Sequence, residues 1–239
     1  MHAHVLNRLL RDPGEIAAAC REDRDVRAIA ATSLAALVIG TAVFGGVIGS
    51  FRGGAQIAFV AAKIPLAMVA TLALTVPAFH AIAAGLGRPM LLRSTLALAL
   101  AAAGRASLVL LAVAPMLWLG FDRGLDYHSA ALASAVAYGA AGLAAISLLV
   151  RGLAEGPGRI LTALAFVAVF FTVGGQTSWI LRPYLIRPRT WAAAQGHAAR
   201  VPFLRGYEGS FADSLYQSSR SARGVYDVRE PEPLPEGSR

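Results

Sequence analysis

The chain has 239 residues, of which 56% are hydrophobic and only 15% charged, and its formal net charge of +8 is carried by twenty-one arginines and one lysine. Water-soluble domains carry roughly 25% charged residues, so this composition excludes an ordinary soluble fold. The apolar residues come in long blocks; a β-barrel would need alternating segments of about ten residues, and the blocks exclude it. The fold expected is all-α, a polytopic transmembrane helical bundle of about five spans. A polar N-terminal segment (1–27) precedes the membrane domain (28–182), and a C-terminal docking tail (183–239) follows it.

Residues 1–27 balance five arginines against five acids. Val5, Leu6, Leu9 and Leu10 share one face of a short helix with Arg8 and Arg11 beside it, a pattern that fits an interfacial helix or a partly ordered terminus. Asp12-Pro13-Gly14-Glu15 reads as a helix start, with Asp12 as cap and Pro13 in the first turn, and that helix could run unbroken into the first span. No apolar run precedes the charges as in a cleavable signal, so insertion is expected to rest on the first span. Cys20 is the only cysteine, which leaves no partner for an internal disulfide.

Span one covers about 29–48. Gly45, Gly49 and Gly53 follow at four-residue spacing, a candidate helix-packing face where another backbone could approach closely. Span two, about 57–84, contains Lys63, Pro65, Pro77 and His80, and its two prolines predict kinks within one span. Span three (about 95–119) carries Arg105. A short acidic loop with Asp122 and Asp126 leads to the alanine-rich span four (about 130–150). Span five (about 161–181) runs through Gly174-Gly175 to Gln176, Trp179 and Arg182, an aromatic and basic exit from the hydrocarbon.

The tail contains enough apolar residues over 191–216 to dock on a membrane or a partner. Residues 229–239 are rich in proline and glutamate and are expected to be disordered. The loops on the N-terminal side, between spans two and three and between spans four and five, carry more arginine than the loops opposite. That bias favours a cytoplasmic N-terminus.

Lys63 and Arg105 are the charges inside apolar runs, where a charge at a helix centre costs about 2.5–3.5 kcal/mol on insertion scales. Each could snorkel or pair with carbonyls, or form an anion or lipid-phosphate site. Alternation of the spans places Lys63, Asp122, Asp126, Gln176, Trp179 and Arg182 on one side as a candidate polar cluster or partner contact. Arg105 falls on the other side with Arg88, Arg93 and Glu155. The five histidines show no metal-ligand spacing, and no nucleophile, phosphate loop or haem-ligand pattern appears. No catalytic residue, metal or cofactor is therefore expected.

In layout the chain resembles the bacterial members of the Yip-domain family of five-span membrane proteins. The shared features are the polar N-terminus, the closely spaced spans, Gly45-Gly46 to Gly53-Gly54, and Lys63-Ile64-Pro65 at the opening of span two. The resemblance covers roughly residues 28–182, and the long tail departs from it. It implies no catalytic residues.

The function expected is that of a non-enzymatic integral membrane scaffold or accessory subunit, in a bacterial cytoplasmic membrane. Its partners would be anionic lipids and either other membrane subunits or further copies of itself, with no nucleic acid. The alternative is a channel, transporter or lipid-handling protein with an anion site at Lys63 or Arg105.

Overall fold

The computed structural model describes residues 2–51, 53–87, 90–125, 127–153, 155–156 and 158–181. Among these the chain is helical, with no strand: α1 (His2–Arg11), α2 (Pro13–Arg21), α3 (Val26–Ser50), α4 (Gln56–Gly85), α5 (Leu92–Asp122), α6 (Tyr127–Gly152) and α7 (Arg159–Leu181). Four of them, α3 to α6, are long and apolar enough to cross a membrane. The thirty residues of α4 extend about 45 Å at 1.5 Å each, which exceeds a hydrocarbon core of about 30 Å. Pro65 and Pro77 lie inside this one continuous helix.

Outward faces carry side chains that water would penalise. Met116 is 74% exposed, Leu143 71%, Leu132 67% and Phe171 67%. Acyl chains would cover such a surface at no cost, which is the physical case for a membrane-embedded protein.

Helix α5 is the centre of the bundle, and residues 97 to 104 are buried on every side. They are mostly alanine and glycine because neighbouring backbones come very close there. A Cβ added to Gly40 of α3 would lie 2.7 Å from the Ser107 carbonyl oxygen of α5. One added to Gly104 of α5 would lie 2.9 Å from the Ser33 carbonyl oxygen of α3. The Ser107 hydroxyl donates across the seam to the Ala36 carbonyl at 2.9 Å. Three small residues thus let two non-consecutive helices touch through their backbones.

Helices α3 and α4 close the same way. The Cβ positions of Gly45 and Gly49 fall 2.7 Å from the carbonyl oxygens of Val60 and Gln56. Gly53 is different: its φ is +73° and nothing lies within 4 Å of its Cβ position. It therefore serves the α3–α4 turn, where a left-handed backbone favours glycine, and is not the third residue of a packing face.

The N-terminal segment is docked as well as helical. Val5 and Leu9 are buried in one cluster with Ile16 and Cys20 of α2, Phe79 of α4, Leu98 of α5 and Leu148 of α6. Leu6 and Leu10, on the same helix, are 36% and 49% exposed, so only half of the predicted apolar face turns into the bundle. Asp12 caps α2 by accepting from the Glu15 N–H at 3.1 Å, and Glu15 pairs with Arg8 at 2.7 Å. Helix α2 does not run on into α3, the possibility its start had left open. Asp23 (φ 59°) and Asp25 (φ 54°) take left-handed conformations and turn the chain between the two helices. Asp tolerates that geometry better than most residues.

Candidate functional site: an arginine collar at the end of α6

The last four carbonyls of a helix lack partners within it, and they carry the negative end of its dipole. At the C-terminus of α6 those partners arrive from three directions. Leu153 N–H donates to the Leu149 carbonyl at 3.2 Å. Arg159, opening α7, donates through Nε to the Val150 carbonyl at 2.8 Å. Arg21, closing α2, donates through Nη1 to the Arg151 carbonyl at 2.8 Å.

One turn deeper, Arg105 of α5 donates through Nη1 to Ser147 Oγ at 2.8 Å and to the Ala144 carbonyl at 3.4 Å. The Ser147 hydroxyl in turn donates to the Ala144 carbonyl at 2.8 Å. The intramembrane arginine is thus held by a hydroxyl and a carbonyl, and is only partly buried. With Arg151 itself, four helices contribute guanidinium groups to the end of α6. Leu98 of α5 fills the space beside Gly152, so a side chain there would have to displace the Leu98 side chain.

Two further ties hold this end together. Asp23 accepts from Arg93 Nε at 2.9 Å, from Arg93 Nη2 and from Ser94 Oγ at 2.8 Å. Those hydrogen bonds, Ser94 first, and the Arg93 charge hold its carboxyl below the ordinary value of 3.8. Cys20 is fully buried, and burial pushes its thiol up to about 12. His80 meets Thr95 at 3.3 Å, a packed histidine joining α4 to α5.

On the opposite side, Lys63 Nζ lies 5.9 Å from the centre of the Phe59 ring, one turn earlier on α4. Asp122 is exposed at the end of α5. Asp126 and Arg182 lie outside the described residues, as do the side chains of Gln176 and Trp179. Helix α7 runs antiparallel to α4. The Phe79 and Phe166 rings stand 4.4 Å apart between centroids, and the Gly174 Cβ position lies 3.4 Å from Thr71 Cγ2.

Among the described residues no group of three or more His, Cys, Asp or Glu side chains could hold a metal ion. A shallow apolar recess lies on the outside of α5, lined by Leu91, Leu92, Arg93 and Leu96.

The collar is what reasoning from the sequence missed. Arg21, Arg105, Arg151 and Arg159 are far apart in the chain; Arg105 stood out as a charge inside an apolar run, but nothing local joined it to the other three. Compared with protein-family models, curated proteins and solved structures, the chain matches none.

Proposed function

We propose that this chain is a non-enzymatic integral membrane protein acting as a scaffold or accessory subunit, with α7 as a fifth span and the N-terminus in the cytoplasm. The observation that carries the proposal is how the charged side chains around the collar are employed. Arg21, Arg105 and Arg159 fasten helix to helix through carbonyls, and Asp23 fastens the N-terminal helices to α5. A site built for reaction chemistry leaves titratable groups converging on a pocket; here they converge on the bundle's own backbone. The resemblance to the Yip-domain family belongs to this proposal at the level of layout, without any activity carried over. A bacterial cytoplasmic membrane suits the arginine bias of the N-terminal side.

The test is gentle solubilisation of the full chain followed by mass spectrometry of what co-elutes, beside a chain truncated after Arg189. The expected result is a stoichiometric membrane-protein partner or a second copy, released by the truncation. A monodisperse lone chain that moves a solute across liposomes would overturn the proposal.

A further inference from the structure

We infer that the outer face of α6, ending in Ser147, Arg105 and Arg151, binds a single anionic phospholipid by its phosphate and one acyl chain. This inference goes beyond the scaffold proposal and does not depend on it.

The argument starts from two like charges. Arg105 Nη1 is fixed on Ser147 Oγ, and Arg151 lies four residues beyond Ser147, on the same face of α6 and one turn nearer its end. Among the described residues neither guanidinium has a carboxylate within ion-pair distance. Arg151 Nη1 lies at the start of α2, 3.8 Å from the Cβ position of Gly14, where Asp12 Oδ1 accepts from the Glu15 N–H. Arg21 adds a third positive charge, with its Nη1 on the Arg151 carbonyl. Arg105 uses Nη1 alone, and Arg151 is exposed, so donors remain for an external acceptor. A phosphate matches paired guanidinium forks in geometry as well as charge.

The surface leading to these arginines selects a lipid over a free anion. Leu132, Val136, Leu143, Ser147 and Arg151 follow one another at helical spacing on one face of α6. Leu132, Val136 and Leu143 are 67%, 66% and 71% exposed. Going from the bilayer interior outward, the face is apolar until Ser147 and cationic from there on. Arg105 reaches it at Ser147, about 7.5 Å below the end of α6, counting five residues at 1.5 Å. That is the order of groups in a phospholipid, with acyl chain below and phosphate above.

The experiment uses the full chain in mixed micelles doped with phosphatidylglycerol or phosphatidylcholine, with retained lipid read by native mass spectrometry. The expected result is preferential retention of phosphatidylglycerol. Arg151→Gln should weaken it about fivefold, equivalent to about 1 kcal/mol per arginine near a charged surface. Arg105→Gln added to Arg151→Gln should weaken it further, whereas Arg123→Gln, on the opposite side, should leave it unchanged. Should the double variant fail to fold, the exposed Arg151→Gln alone decides the matter. Equal retention of the two lipids, or wild-type retention by Arg151→Gln, would overturn the inference. Displacement of the lipid by excess inorganic phosphate would also overturn it, by reassigning the arginines to a soluble anion.

Discussion

Asp23 and Arg93, seventy residues apart in the chain, form a two-pronged ion pair that ties the turn between α2 and α3 to the first turn of α5. Ser94 adds a third hydrogen bond to the same carboxylate. Because the backbone of Asp23 is left-handed, the turn and the tie are one device: the conformation that stops α2 also aims the carboxylate at α5.

The pH dependence of this tie follows from its direction. The folded-state pKa of Asp23 lies below the ordinary 3.8, so its stabilising contribution is complete above that value and is lost as pH falls through the depressed one. Pulse hydrogen exchange should find the amides of 15–21 protected at neutral pH and increasingly open under strongly acidic conditions. Asp23→Asn should remove that dependence, and an unchanged acid profile in this variant would refute the assignment.

Cys20 offers a chemical reporter of the same docking. With its thiol pushed up to about 12 and no exposed surface, it should resist maleimide at pH 7 in the intact protein. Asp23→Ala should accelerate labelling at neutral pH by letting α2 lift. Rapid labelling of the unaltered chain would show that α2 is not held as described.

Glycine substitutions separate contact from open surface. Gly40→Leu and Gly104→Leu place a side chain against a carbonyl of the opposing helix, so thermal stability in detergent should fall by about 1–3 kcal/mol or more. Gly139→Leu, where nothing lies within 4 Å, should be near neutral. Ser107→Ala should lose a smaller amount, about 0.6 kcal/mol, for one interhelical hydrogen bond in a membrane setting.

The seat of α7 rests on aromatic packing. Phe166→Ala should destabilise the bundle by about 3 kcal/mol by emptying the space against Phe79. Phe171→Ala, on a side chain 67% exposed, should have little effect on the same melting curve.

Much of the architecture was legible because a bilayer imposes a one-dimensional rule: long uncharged runs become helices, and α3 to α6 each enclose an expected span. Proline inside α4 was also readable, since neighbouring helices tolerate it in a membrane. What could not be read was pairing between distant residues. Gly45 and Gly49 announce themselves by regular spacing and serve adjacent helices, whereas Gly40 and Gly104 form the central seam without any shared local pattern. The collar was hidden for the same reason, since arginines at 21, 105, 151 and 159 become one feature only when α6 ends among them. Gly53 shows the converse error, in which regular spacing extended a packing face into a turn.

The bond from Arg21 to the Arg151 carbonyl spans 130 residues, and this sets a schedule for synthesis. At 5–20 residues per second the donor waits about 7 to 26 s for its acceptor to be made. Throughout that interval the part of the Ile16–Cys20 cluster that Leu148, Leu149 and Leu153 complete stays open, although Val5, Leu9, Phe79 and Leu98 are already made. The earliest helices of the chain are therefore among the last to be closed, because their final contacts come from α6.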